Sequence, residues 1–157
     1  MDRLWAPWRI NYVGKKIKTK GCIFCLAKKI KSQDYLVFKT KSSICLLNIY
    51  PYNNGHLLIA PLRHVADIEL LTEDEILDMF KCVKRAKRML KKVLHPQGYN
   101  LGFNLGQAAG AGITGHLHLH IVPRWTGDSN FMPIIASTKV ISQSLNELIR
   151  LLKNAEK

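Results

Sequence analysis

The sequence predicts an α+β fold, a mainly antiparallel sheet with one long central helix and one C-terminal helix. Three observations carry this prediction. Short runs rich in aliphatic and aromatic residues stand before and after a single long helical segment, rather than alternating with helices of their own. That segment opens with Thr72 three residues before Glu75, the spacing at which hydroxyl and carboxylate reciprocally satisfy the first free N–H groups of a helix. Residues 116–122, His-Leu-His-Leu-His-Ile-Val, alternate polar and apolar side chains with the period of a strand.

Taken in order, residues 1–34 read as an arm followed by a turn-rich segment that holds the pair Cys22-x-x-Cys25. Residues 35–39 and 44–48 are β-type runs. A third strand, 56–60, is entered through Pro51-Tyr52-Asn53-Asn54-Gly55 and closed by Pro61, and Asn53-Asn54-Gly55 predicts a tight antiparallel hairpin. The central helix, capped at Thr72, runs to about residue 93 before Pro96 and Gly98 stop it, with Ile76, Met79, Phe80, Val83 and Leu90 as its apolar positions. Residues 99–105 and 116–122 are strands joined by a glycine-rich stretch, 106–115. Ser144 and Glu147 open a last helix over 144–152. There is no internal repeat and no linker rich in Pro, Gly or Ser, so one domain spanning 1–157 is expected.

Composition narrows the class. With 157 residues, 47% of them hydrophobic against 22% charged, the chain can bury a core large enough to offset the entropy of ordering. No stretch reaches the roughly 18 consecutive apolar residues of a membrane span, and Met1 to Pro7 lack the apolar core of a signal peptide. A soluble, cytoplasmic protein with no membrane partner is expected. The 24 Lys+Arg against 11 Asp+Glu give a formal charge of +13, which favours anionic partners. The excess gathers at 15–20, 28–31 and 81–92; the last of these alternates with helical apolar positions and reads as a solvated helix face. Cys45 and Cys82 stand alone in apolar segments, as small buried hydrophobes do.

On a strand, residues two apart share a face, so His116, His118 and His120 form a row of imidazoles while Leu117, Leu119 and Ile121 point to the core. Neutral imidazoles serve as nucleophiles, bases or metal ligands, and the row alone leaves both a three-histidine metal site and nucleophilic catalysis open. Gly106, Gly110, Gly112 and Gly115 stand just before it and can bring bare backbone N–H groups to a phosphate, which points toward nucleotidyl or phosphoryl transfer. Residues 110–115 also fit Gly-x-Gly-x-x-Gly, but a strand rather than a helix follows, which excludes a dinucleotide-binding turn.

The pattern His-φ-His-φ-His-φ-φ at 116–122 resembles the signature of the histidine triad family of nucleotidyl hydrolases and transferases. The resemblance extends over nearly the whole chain. Pro51 to Pro61, Asn104-Leu105-Gly106 with Gly110, Pro123-Arg124-Trp125 with Gly127, Asp128, Asn130 and Phe131, the opening Leu4-Trp5-Ala6-Pro7-Trp8-Arg9 and the late Thr138-Lys139-Val140 are similar to the branch containing diadenosine tetraphosphate phosphorylases. The stretch from Asn104 to His116 is one residue longer than in the hydrolase branches.

By position, the resemblance implies His118 as the nucleophile, His120 beside it orienting it or binding phosphate, and His56 supporting both from the neighbouring strand. It implies Asn48 at the ribose hydroxyls, Asn104 at the α-phosphate, and Gly110, Gly112 and Thr114 around the phosphates. Trp125 would stack on the nucleotide, border it or pack in the core. Cys22, Cys25, His64 and His116 match a ligand set for structural zinc, against a metal-free or redox reading of the cysteine pair. The implied partners are a dinucleoside polyphosphate or other adenine nucleotide, inorganic phosphate as co-substrate, and a second copy of the chain in a homodimer. A second anion site for that phosphate would draw on the glycine-loop N–H groups, Thr114, Arg124 and Lys139. Hydrolysis of dinucleoside polyphosphates or nucleoside phosphoramidates is the alternative within the family. The alternative of another class is a non-catalytic zinc module that binds nucleic acid; no stacking array or recognition motif accompanies the charge, so nucleic acid is not the expected partner.

Overall fold

The structure is a computed structural model that describes residues 21–29, 35–128 and 141–155. In order these form a short helix α1 (Ile23–Lys29), strands β1 (Leu36–Lys39), β2 (Ser43–Leu47) and β3 (Leu57–Pro61), and a 3-10 turn (Ile68–Leu70). The long helix α2 (Glu73–Leu94), strands β4 (Gly98–Phe103) and β5 (Leu119–Arg124), and helix α3 (Leu145–Ala155) follow. The strands make one open antiparallel sheet in the order β1-β2-β3-β5-β4, the α+β architecture expected. Readings that fall at 1–20, 30–34 and 129–140, among them Lys139 and the Asn130-Phe131 pair, lie outside the described residues. Among the described residues no helix is long and apolar enough to cross a membrane.

Both faces of the sheet are covered. Cys45, Leu47, Leu57, Ile59, Leu119 and Ile121 pack under α2 and α3, against Met79, Cys82, Val83, Ala86, Met89 and Leu90 of one and Leu148, Ile149 and Leu152 of the other. Ile44, Leu46, Leu58 and Ala60 point the opposite way and are covered by Phe24 and Ala27 of α1. Burial on two faces is why β2 and β3 read as unbroken apolar runs instead of alternating.

Helix α2 begins and ends where its sequence says it should. Glu75 N–H donates to Thr72 Oγ1 (3.3 Å) and Thr72 N–H donates to Glu75 Oε2 (3.0 Å), completing the capping box. At the other end His95 takes the left-handed conformation (φ 47°), its N–H returning to the Lys91 carbonyl, and Pro96 follows. Two expected core positions are corrected. Ile76 and Phe80 are exposed (39% and 53%), because on the helical wheel they lie just outside the stripe set by Met79, Cys82, Val83, Ala86 and Leu90.

Three other boundaries also differ from expectation. The Cys-x-x-Cys segment is not a turn but the start of α1, with Leu26 N–H bonded to the Cys22 carbonyl. The β2–β3 connection is the stretch 48–56, closed by Asn48 N–H on the His56 carbonyl (2.9 Å); it holds the expected turn, with His56 N–H on the Asn53 carbonyl (3.2 Å), and joins antiparallel strands, but is longer than that turn alone. The last strand begins at Leu119 instead of residue 116: Leu117 N–H donates to the Val65 carbonyl (2.7 Å), so the chain leaves the ladder before its last pairs, Ile59↔Leu119 and Phe103↔Leu119.

Gly55 holds the long turn against the rest. It has φ +77°, and a Cβ there would lie 2.5 Å from Leu94 Cδ1 and 3.0 Å from Pro123 Cγ. Gly55→Ala therefore combines backbone strain with overpacking, and is expected to lower stability by about 2–3 kcal/mol. The check is a thermal melt, in which the variant should unfold roughly 5–10 °C below wild type.

Candidate functional site

The histidine row lies on the face of the sheet opposite α2. His120 pairs in register with Leu58 on one side and Gly102 on the other, while its neighbours Leu119 and Ile121 enter the core under the helices. A Cβ at Gly102 would meet nothing within 4 Å, so the β4 side of His120 is open space where a larger side chain would stand. His118 and His120 have ring centroids 5.0 Å apart, and Phe24 of α1 lies 5.0 Å from His116 and 5.1 Å from His118. All three histidines are buried (His116 1%, His118 6%, His120 8%).

Hydrogen bonds set the proton positions. His118 Nδ1 lies 2.8 Å from the His116 carbonyl, which can only accept, so Nδ1 carries the proton and Nε2 carries the lone pair. Asn48 Oδ1 accepts from Tyr50 N–H (2.9 Å), which turns the amide so that Nδ2 donates to His56 Nδ1 (3.1 Å). Tyr52 N–H donates to the same nitrogen (3.0 Å). His56 therefore holds its proton on Nε2 and donates it to His120 Nδ1 (2.9 Å). His120 must then carry its own proton on Nε2, and that buried atom has no hydrogen-bond partner. Each uncompensated buried polar group costs on the order of 1–3 kcal/mol, so a donor left in this state is poised for an acceptor that the described residues do not supply. Burial pushes the His118 and His120 pKa values down, His120 to about 4 with help from neighbouring His118, so both rings are neutral near pH 7.

Next to the row, Cys22 Sγ, Cys25 Sγ, His64 and His116 bring four donor atoms within 4.8 Å of one another. Cys22 Sγ and His64 Nδ1 lie each 3.1 Å from His116 Nδ1, and Cys25 Sγ lies 3.3 Å from His64 Nδ1. A zinc ion with bonds of about 2.3 Å to sulfur and 2.0 Å to nitrogen has ligand-to-ligand edges of roughly 3.3–3.8 Å, close to these spacings. The chemistry of the set agrees. His116 Nε2 donates to the Pro61 carbonyl (2.9 Å), which leaves the Nδ1 lone pair directed at the cysteines, the tautomer and support that metal-bound imidazoles require. His64 itself is placed by its neighbour Arg63, whose guanidinium forms a two-pronged pair with Glu75 (3.0 and 2.7 Å) at the α2 cap. That pair holds the Glu75 carboxyl at about 2.

The remaining residues divide. Asn48 joins the site through His56, and Asn104 through Tyr52, whose hydroxyl it reaches (3.4 Å) and whose ring stacks on His120 at 5.5 Å. Gly110, at φ +87°, sits beside Asn104 Nδ2, while exposed Gly112 and Thr114 lie in the loop that leads into His116. Trp125 is not brought to the row. It lies just past the far end of β5, about 17 Å along the chain from His120, and borders a cleft with Asn53, Asn54, Val93, Leu94 and Gln143. Arg124 is likewise withdrawn from the expected anion site, held by Asp128 (2.6 and 2.8 Å) and Asn100 (2.6 Å). Tyr52 and Phe24 are contributions that the sequence reading did not single out. Tyr52 stood inside a quoted motif, but nothing local marks an exposed tyrosine as a stacking partner.

Comparison with known proteins accords with this geometry. The chain is 38% identical to the AP-4-A phosphorylase of Mycobacterium tuberculosis over 97% of its length and 83% of the relative's. It is 34% identical to the asymmetrical bis(5'-nucleosyl)-tetraphosphatase of Schizosaccharomyces pombe over 58% of this chain and 50% of that one. In structure it is similar to a Zn-bound histidine triad family protein from Mycobacterium smegmatis, with a TM-score of 0.70 and 27% identity over 87% of this chain and 93% of that one. The sequence pattern of the HIT domain matches residues 29–127, and the chain belongs to the HIT domain family.

Proposed function

We propose that the protein is a nucleotidyl transferase that cleaves dinucleoside polyphosphates, with His118 as the covalent nucleophile and inorganic phosphate as the acceptor. One observation carries the reading: the Nε2 lone pair of His118 stands beside a buried Nε2–H on His120 that has no partner among the described residues. A nucleophile and a hydrogen-bond donor for the phosphoryl oxygens, side by side, are what displacement at a phosphoanhydride needs.

In the first step His118 Nε2 attacks the α-phosphorus of diadenosine tetraphosphate. The N–P bond forms as the P–O bond to the leaving group breaks, and ATP departs as the anion while His120 Nε2–H donates a hydrogen bond to a phosphoryl oxygen and keeps its proton. In the second step a phosphate oxygen attacks the same phosphorus, the N–P bond breaks with its electron pair returning to His118 Nε2, ADP leaves, and the proton of the attacking phosphate passes to solvent. His56 holds His120 in the donating tautomer throughout, and Asn48 holds His56. Asn104, Gly110, Gly112 and Thr114 are the groups proposed around the phosphates, and Asn48 at the ribose. Phosphate as acceptor is supported by the similarity to the AP-4-A phosphorylase, which spans nearly the whole chain.

Zinc is proposed at Cys22, Cys25, His64 and His116. When bound it would join α1, the segment after β3 and the entry to the histidine row, with four protein ligands and no open position for substrate. A homodimer is proposed through β4, an edge strand among the described residues, where Leu101 is half exposed.

The test is product analysis of diadenosine tetraphosphate incubated with and without millimolar phosphate. ADP plus ATP in its presence, with turnover dependent on it, is the expected result. AMP plus ATP at the same rate would make the protein a hydrolase and overturn the choice of acceptor.

A further inference from the structure

We propose that the outer face of α2 is a docking surface for a nucleic-acid strand, separate from the nucleotide site. From residue 81 to 92 the helix carries no carboxylate. Lys81, Lys84, Arg85, Arg88, Lys91 and Lys92 recur at intervals of three and four, and so form one stripe opposite the buried Val83, Ala86 and Leu90. All but Arg85 are exposed, and Arg85 lies across the Phe38 ring at 4.1 Å. The acidic residues of α2 stand in its first turns, where Glu75 is taken by Arg63 and Asp78 by Thr40 and Ser42.

Helix electrostatics do not account for the stripe. The favourable effect of cations near a C-terminus fades within the last turn, which covers Lys91 and Lys92 but not Lys81, Lys84 or Arg88. Where α2 meets the end of α3, Arg85, Arg88, Met89, Lys92 and Ala155 line a cavity of 320 Å³ that has no acidic residue among its described walls. Lys81, Lys84, Arg88 and Lys91 therefore present a row of exposed positive charge, while Lys92 donates to the Ala155 carbonyl (3.4 Å) at the cavity beside it.

A polyanion with evenly spaced charges fits such a row. From Lys81 to Lys92 the helix rises about 16 Å, the rise of about five nucleotides at 3.4 Å each. A membrane surface fits less well, because helices that lie on membranes carry apolar side chains alongside their cations. Here the exposed apolar residues Ile76, Leu77 and Phe80 all precede the stripe, and no large apolar residue is exposed among its cations at 81–92. The histidine row lies across the sheet, so a bound strand would leave it open.

Fluorescence anisotropy of a labelled single-stranded RNA of about 30 nucleotides, titrated with the full chain at several salt concentrations, tests this. About five phosphate contacts predict a slope of log K against log salt near −3.5. Replacing Lys81, Lys84 and Arg88 by Glu should weaken binding at least about 30-fold at low salt and flatten the slope by about 2, with dinucleotide turnover unchanged. The same three positions changed to Gln should give an intermediate loss, which guards against misfolding of the reversed-charge variant. Absence of binding at about 50 mM salt, or equal affinity of wild type and both variants, would overturn the proposal. Sedimentation with phosphatidylserine vesicles in place of RNA binding would overturn it too, in favour of a membrane.

Discussion

Replacing His118 by alanine lowers turnover of diadenosine tetraphosphate by at least about 10³-fold while nucleotide affinity changes by less than about tenfold. The asymmetry follows from where the side chain acts. In the proposed mechanism its Nε2 forms the new bond to phosphorus, whereas the ground-state contacts belong to other residues. Loss of the ring also frees the His116 carbonyl, which is an acceptor near a proposed metal ligand. His118→Asn, which keeps an N–H near the Nδ1 position, separates that structural effect from the chemistry. It should be as inactive as the alanine variant and melt closer to wild type. Residual activity above a few per cent in either variant would mean that another group attacks phosphorus. Steady-state rates and equilibrium binding of a non-cleavable analogue read the two quantities independently.

The second large effect is on stability. Cys22→Ser or Cys25→Ser, or treatment with a strong chelator, lowers the melting temperature by at least about 10 °C and removes about one zinc per chain. The four proposed ligands come from parts of the chain far apart in sequence, Cys22 and His116 being 94 residues from each other. Without the tie, Phe24 has less to hold it over His116 and His118. The intact fraction of such a variant should still turn over substrate, with kcat reduced much less than by His118→Ala, because the ligands lie beside the reacting atoms and are not among them. Elemental analysis that finds no metal in protein purified without chelator would contradict the zinc assignment, as would a melting curve indifferent to the chelator.

The parts of the fold that were legible in the sequence are those governed by local chemistry. Thr72 and Glu75 announce the start of α2 because the capping box is a contact between residues three apart, and Pro96 announces its end for an equally local reason. The period-two run marks its face correctly, with Leu119 and Ile121 inward and His120 outward. What failed depended on partners distant in sequence. The strand starts at Leu119 because Leu117 bonds to Val65, and nothing in residues 116–122 encodes that. Ile76 and Phe80 are apolar and helical, but burial also needs a neighbour on that side of α2. The same limit applied at the site. The residue types and their spacing suggested which groups gather. The relay Asn48 to His56 to His120, and the unpartnered proton that it leaves on His120, became visible only once three separate segments were placed together. Arg124 shows the converse. A free cation on paper, it is committed to Asp128 four residues on.

The most direct measurement is mass spectrometry of wild-type protein mixed with diadenosine tetraphosphate in the absence of phosphate, quenched in base within a single turnover and digested. An adenylyl group on His118, lost in acid and discharged as ADP when phosphate is added before the quench, is the predicted result. Product formation with no adduct on the protein, or an adduct on any residue other than His118, would contradict it.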